Sequence, residues 1–350
     1  MLKHGGGVQQ AALKYNLPAD RWLDLSTGIN PIGWGVPQIP ADKWLRLPEG
    51  GDGLVTSAAA YYGANNLLPV AGSQAAIQVL SRLTENFRVA VLSPTYAEHA
   101  HSWGYREKSY KMPFYYNNPV HKVELLAFRD LDRTIELYDV VVVVNPNNPT
   151  GEFTPKEKLL EWRQRLADAG KSAGRERWLI VDEAFMDSTP EDSLISETGN
   201  PGLIVLRSLG KFFGLAGVRV GFVFGWPELL DSMHRLLGPW HITGPSRLVA
   251  KEALLDVTWH KKTRKRLLLN SKKLYNMLSS HDLTPTGGTN LFQWVKVSRN
   301  RELFDRFAQQ GILVRRFIKP GGIRFGLPGV QSEWQRLEEA LFKIQSLVQQ

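Results

Sequence analysis

Short β-branched runs alternate with amphipathic stretches through the middle of the chain. Apolar runs at Arg88–Leu92, Val140–Val144, Trp178–Val181, Leu203–Leu206 and Arg219–Phe224 predict strands. Several are apolar on both faces, as strands sandwiched between helix layers must be. Between them, residues 74–83 and 155–169 carry helical spacing. The second stretch has a start signal, with Thr154 at the cap, Pro155 at the first position and Glu157 at the third, where a hydroxyl and a carboxylate satisfy otherwise orphan amides. Strands alternating with crossover helices predict an α/β fold built on a mostly parallel central sheet.

Beyond about Pro245 the pattern changes. A long basic helical stretch is followed by a strand-like Asn290–Val297, a helix near Arg301–Gln310, a strand at Ile312–Arg316 and a final helix from Ser332. This predicts a smaller α+β domain over residues 245–350 behind a large domain over residues 41–244. Residues 1–40, rich in Gly and Pro, predict an arm packing with the small domain.

Composition narrows the function. The chain has 350 residues, 43% apolar, and no cysteine. At roughly 150 residues per domain it holds about two domains with a substantial core. Without cysteine there are no disulfides, thiolate metal sites or thiol nucleophile, and no His/Glu metal motif occurs, so no metal is expected. The start MLKHGGGVQQ lacks an apolar segment behind its basic residue, and the longest strongly apolar run is the valine stretch Val140–Val144; a cytoplasmic protein with no membrane partner is expected. The net charge of +9 concentrates in His260, Lys261, Lys262, Arg264, Lys265, Arg266, Lys272 and Lys273. This cluster reads as a solvated helix face, since nucleic-acid binding would call for a recognised module or an aromatic stacking platform.

In an open α/β sheet, ligands bind at the carboxyl edge of the strands. Four predicted strands lead into polar or glycine-rich groups: Ser93 to Tyr96, Asn145 to Gly151, Asp182 to Phe185, and Arg207 to Lys211. Each alone has a plain structural reading, as a turn, a cap or a surface lysine. Together an acid, an amide, a hydroxyl, a lysine and an arginine are what an anionic aromatic cofactor bound through a lysine requires. No G-x-G-x-x-G follows a strand, Gly210-Lys211 lacks the other residues of a P-loop, and no H-E-x-x-H occurs.

These motifs, above all the run from Ser208 through Lys211 and Arg219 to Gly221, resemble the fold-type-I pyridoxal-phosphate enzymes of the histidinol-phosphate aminotransferase branch over nearly the whole chain. The resemblance implies pyridoxal 5'-phosphate as cofactor. It makes Lys211 the covalently linked lysine, pairs Asp182 with the pyridine nitrogen, sets Asn148 on the phenolic oxygen and stacks Tyr96 on the ring. Ser208 and Arg219 would hold the phosphate with the amides of Ser73 and Gln74, which follow Gly72. A carboxylate beside the ring nitrogen favours its protonation, and a helix start with a guanidinium suits a phosphate.

Within that branch, the chain is similar to the threonine-phosphate decarboxylases of cobalamin biosynthesis. His4-Gly5-Gly6-Gly7, the segment Asp24 to Pro31, Phe185 where the aminotransferases usually have tyrosine, and Gly238-Pro239-Trp240 carry that similarity. It implies decarboxylation of L-threonine O-3-phosphate to (R)-1-amino-2-propanol O-2-phosphate. It also implies Arg324 as the carboxylate arginine, Arg315 and His4 at the substrate phosphate, Asn30 orienting substrate or arm, and a homodimer. Two departures stand out: Leu47 replaces a tyrosine that in relatives reaches the partner subunit's cofactor phosphate, and the Ala71–Gln74 segment is shorter than the decarboxylases' form. The alternatives are a histidinol-phosphate-type aminotransferase and a non-catalytic binding protein that has kept the fold.

Overall fold

A computed structural model describes residues 4–104 and 121–348. In chain order the elements are α1 (Val8–Tyr15), β1 (Leu23–Asp24), α2 (Asp42–Leu45), α3 (Leu54–Tyr62), β2 (Leu67–Val70), α4 (Ser73–Leu80), β3 (Arg88–Leu92), α5 (Ala97–Ser102), β4 (Lys122–Leu126), α6 (Phe128–Thr134), β5 (Val140–Val144), α7 (Lys156–Ala173), β6 (Trp178–Asp182), β7 (Leu203–Ser208) and β8 (Gly221–Phe224). They continue with α8 (Pro227–Leu237), α9 (Gly244–Leu255), α10 (Val257–Ser279), β9 (Gly287–Thr289), β10 (Phe292–Lys296), α11 (Asn300–Gln309), β11 (Ile312–Leu313), β12 (Arg315–Phe317), β13 (Gly322–Gly326) and α12 (Gln331–Val348).

A seven-stranded sheet runs β2-β8-β7-β6-β5-β3-β4. Neighbours from β7 to β4 are parallel, and β8 is antiparallel to both β7 and β2. All residues of β5, β6 and β7 are buried, because apolar layers cover both faces. The two-residue period shows directly in β5: Val141 and Val143 pack with Trp162, Phe212 and Phe213, while Val140 and Val142 pack with Ile77, Trp103 and Met233 on the other side. A second, antiparallel sheet runs β12-β13-β10-β9, and β1 pairs in parallel with β11.

Several boundaries differ from the sequence expectation. β8 begins at Gly221 rather than Arg219, because Arg219 takes a left-handed conformation at φ 55° that no strand accepts. The expected strand over residues 312–316 is split at Val314, its halves joining different partners, β1 and β13. Thr154 does not cap α7: Pro155 precedes the helix with no side-chain cap. The Thr154 backbone is held instead by Asn145, whose Oδ1 accepts its N–H at 2.9 Å and whose Nδ2 donates to its carbonyl at 3.0 Å. The arm also contains α1, which the sequence pattern did not predict. On α10, Lys261, Lys262, Lys265, Lys272 and Lys273 are exposed. Among the described residues no helix is long and apolar enough to cross a membrane.

Candidate active site

Because β5, β6 and β7 run parallel, the segments that follow them emerge at one edge. Asp182 ends β6 and is 3% exposed. Its Oδ1 accepts the Ala184 N–H at 3.0 Å, and its Oδ2 lies 2.8 Å from His99 Nε2. The sequence reading missed His99, which is buried on α5. Its signal was faint: a histidine one helical turn after Tyr96, behind a strand end already marked as part of the site.

A buried ionic group stands directly behind. Arg207, between Leu206 and Ser208 in β7, donates from Nη1 to Glu183 Oε2 at 2.9 Å and from Nη2 to Asp187 Oδ1. Glu183 also accepts from Ser193 Oγ at 2.6 Å and Leu194 N–H at 2.8 Å. Burial raises the Glu183 pKa despite the arginine. For Arg207, burial opposes the charge, but Asp187 and other neighbours outweigh it and its pKa is raised.

Lys211 follows β7 on a turn held through its own backbone. Its carbonyl accepts from Asn30 N–H at 3.0 Å and Gly214 N–H at 3.1 Å. Asn30 is tied to this same segment: Nδ2 donates to the Phe212 carbonyl at 2.9 Å and Oδ1 accepts Ile32 N–H at 3.1 Å. These bonds tie the arm to the lysine turn. Lys211 Nζ lies 5.7 Å from the Phe185 ring centroid. Burial first, then the charge of Arg324, pulls the Lys211 pKa from the ordinary 10.5 to about 8.

A cradle for an anion lies beside the lysine. Gly72 precedes α4 at φ +74°, and a Cβ there would meet Arg219 Nη2 at 2.6 Å. A Cβ on Gly221 would meet the Ser73 amide nitrogen at 2.7 Å. No side chain caps α4, so its first amides have no such acceptor. Ser208 Oγ accepts the Gly210 N–H at 3.2 Å. Tyr96 Oη donates to Gln74 Oε1 at 3.2 Å; burial, then the Glu98 charge, pushes its pKa up to about 12.

The second sheet supplies cations. Arg324 on β13 is 6% exposed, donating from Nη2 to the Ser26 carbonyl at 2.8 Å and from Nη1 to Asn148 Oδ1. Its buried Nε has no hydrogen-bond partner among the described residues. Burial, then the charge of Arg315, pulls its pKa well below the ordinary arginine range. Arg315 Nη1 donates to the His4 carbonyl at 3.1 Å, and the His4 Nε2 pairs with Glu98 Oε1 at 2.9 Å. Arg316 bonds elsewhere, to Asn300 Oδ1 at 2.6 Å. A separate cavity of about 840 Å³ at the start of α11, lined by Arg299, Arg306 and Arg316 among others, contains none of the predicted site residues.

Residues 48–341 match the family model for aminotransferase class I and II. The chain belongs to that family. Within the family, it is 46% identical over 341 residues to a threonine-phosphate decarboxylase of Pseudomonas aeruginosa, covering 97% of each chain. It is 37% identical to a threonine-phosphate decarboxylase of a Sinorhizobium species, covering 98% of each. The fold is also that of a Sinorhizobium meliloti histidinol-phosphate aminotransferase solved with pyridoxal-5'-phosphate: TM-score 0.77 at 19% identity, covering 98% of this chain and 95% of that one.

The residues present fit the family's cofactor. A largely buried amine of lowered pKa, a buried carboxylate fixed by an imidazole, and a glycine cradle closed by a guanidinium match its aldehyde, ring nitrogen and phosphate in turn.

Proposed function

We propose that the chain is a pyridoxal-phosphate-dependent threonine-phosphate decarboxylase, releasing carbon dioxide from L-threonine O-3-phosphate to leave (R)-1-amino-2-propanol O-2-phosphate, the reaction of cobalamin biosynthesis. The observation that carries this reading is the opposed pair Arg315 and Arg324, two cations beside the lysine site. A substrate with an anion at each end satisfies both. The likeness to two decarboxylases of that name supports it, as does Phe185 near Lys211.

When bound, pyridoxal phosphate supplies an electron sink for the pair left at the substrate α-carbon as a bond to it breaks. In this reading Asp182, held by His99, keeps a negative charge at the ring nitrogen, and Asn148 and Tyr96 fix the ring. Gly72, Ser73, Gln74, Ser208 and Arg219 hold the cofactor phosphate. Lys211, with its lowered pKa, would be the residue linked to the cofactor aldehyde and, with its amine free, would hold the proton that the substrate α-carbon takes up in place of the lost carboxylate. Arg324 takes the carboxylate, and Arg315 with His4 takes the substrate phosphate.

The division into an arm over residues 1–40, a large domain over 41–244 and a small domain over 245–350 is part of the proposal. The seven-stranded sheet falls within residues 67–224, the four-stranded sheet within 287–326, and β1 joins the arm to β11. A homodimer is inferred from Trp44, Leu45 and Leu47, large apolar side chains exposed side by side at α2. A cytoplasmic location is inferred from the cysteine-free composition.

The test is to incubate cofactor-loaded protein with L-threonine phosphate and no keto acid. Sustained release of carbon dioxide with matching aminopropanol phosphate is expected. No release, with amino transfer from histidinol phosphate to 2-oxoglutarate instead, makes the chain an aminotransferase.

A further inference from the structure

Apart from Asp182, which His99 holds, the site charges described above, Lys211, Arg219, Arg315 and Arg324, are cationic, and Glu98 on α5 is a carboxylate beside them. It stands against any substrate with two anionic ends, so its charge must be engaged elsewhere. Both its oxygens are. Oε1 takes His4 Nε2 at 2.9 Å, and Oε2 accepts from Gln74 Nε2 at 2.9 Å. The Glu98 side chain is 15% exposed and that of His4 46%, so the contact is shielded on the carboxylate side and open to solvent on the imidazole side.

The arm that carries His4 is fastened from two directions. On one side Gly5 sits against the turn after β1, where a Cβ would come within 2.4 Å of the Ser26 carbonyl oxygen. Gly6 N–H donates to Ser26 Oγ at 2.7 Å, and Ser26 Oγ donates to Asp24 Oδ1 at 2.6 Å. Arg315 reaches the His4 carbonyl from β12. On the other side the His4 imidazole meets Glu98, with the Tyr96 ring 6.1 Å away centroid to centroid. The arm therefore spans from the edge of the small sheet to α5 beside the large one. Gln74, bonded to both Glu98 and Tyr96, joins this far anchor to the start of α4.

We propose that Glu98 is the positioning residue that fastens the amino-terminal arm across the site, acting through His4 to set affinity for the phosphorylated substrate. This rests on the substrate reading above. An imidazole that gives Nε2 to a carboxylate keeps Nδ1 as its one remaining polar atom, free of competition from the anchor. The same residue's carbonyl also accepts from Arg315 Nη1, so the anchor on the imidazole bears on the arm at the residue that Arg315 contacts.

The experiment uses the full-length, cofactor-loaded enzyme and the variants Glu98→Ala, Glu98→Gln, His4→Ala and the Ala double variant. Losing the charge-assisted contact in Glu98→Ala is expected to raise KM for L-threonine phosphate about tenfold, with kcat little changed. The cofactor absorbance should stay as in the parent in Glu98→Gln, whose amide oxygen can still accept from Gln74 Nε2. Amide hydrogen exchange at Gly6, bonded to Ser26 Oγ, should quicken as the arm loosens. The double variant should be no worse than either single one. Glu98→Gln, which keeps the side-chain shape, guards against a folding artefact and is expected to show the same rise in KM. An unchanged KM, unchanged Gly6 protection, or single-variant effects that multiply in the double variant each overturns the proposal. If the parent enzyme releases no carbon dioxide, it is the substrate reading that fails, and the exchange at Gly6 still decides whether Glu98 holds the arm.

Discussion

Arg315 and Arg324 are direct register partners on antiparallel β12 and β13, so two guanidiniums share one face of the small sheet. Like charges placed opposite one another destabilise a sheet; burial first, and the Arg315 charge second, lower the Arg324 pKa. The arrangement makes sense if anions complete it. Arg324→Met should therefore cut kcat/KM for the phosphorylated substrate by about a hundredfold, the worth of a charged hydrogen-bonded contact. The same variant, free of ligand, should unfold at equal or higher denaturant, because a buried charge facing the like-charged Arg315 has been replaced by an apolar chain of similar length. A loss of both activity and stability in urea titration would make Arg324 a structural residue instead.

Lys211 gives a pH prediction with a definite sign. Its folded pKa of about 8 lies below the ordinary 10.5, so the folded state binds fewer protons between these values. The apoprotein bears the full cost of a buried ammonium below pH 8 and sheds it as pH rises toward 10.5. Lys211→Met apoprotein should be more stable than parent apoprotein at pH 7, by about 2 kcal/mol once the partial exposure of the side chain is allowed for. The gap should close as the pH rises toward 10.5. Cofactor attachment to parent apoprotein, which needs the neutral amine, should speed up through pH 8, as followed by absorbance; a midpoint near 10.5 would show that the lysine is not perturbed.

His99 and Asp182 are 83 residues apart in sequence and 2.8 Å apart in space. A buried carboxylate oxygen that loses its partner also loses its fixed direction. His99→Ala should lower kcat by about ten- to a hundredfold, with KM for the substrate nearly unchanged because the substrate arginines are untouched. It should also shift the pH titration of the bound cofactor's absorbance, which His99→Gln should partly restore. A fall in KM-dependent activity alone would contradict a role at the ring nitrogen.

That distance explains what the sequence could and could not reveal. Val140–Val144 and Arg88–Leu92 were legible to the residue because they are continuous apolar runs, and burial on both faces asks for nothing else. Asn148, Asp182 and Lys211 were legible as a group because each follows such a run. His99 and Glu98 were not, since residues on a short helix acquire meaning only from partners brought by other elements; Arg207, read as part of the polar group after a strand ending at Leu206, lies inside β7, which runs on to Ser208. The expected start of β8 at Arg219 differs because that residue takes a left-handed backbone, which its side-chain type does not signal. α1 escaped because it buries only Ala11 and carries little apolar pattern.

Arg207 supplies the strongest stability prediction. It and its partners Glu183 and Asp187 are all essentially inaccessible to solvent, and Glu183 follows Asp182 at the end of β6 while Arg207 precedes Ser208 on β7. Removing the cation leaves two carboxylates that cannot both stay ionised without it. Arg207→Met should cost about 3–5 kcal/mol in urea unfolding. Because Glu183 already has a raised pKa, the variant should take up a proton on folding and lose more stability as pH rises from 5 to 8. The triple change of Arg207, Glu183 and Asp187 to apolar residues of similar size should recover much of the lost stability. Recovered stability without recovered activity would mean that the ionic group serves to hold the ends of β6 and β7 at the geometry Asp182 and Lys211 need, whereas recovery of both would make it dispensable packing.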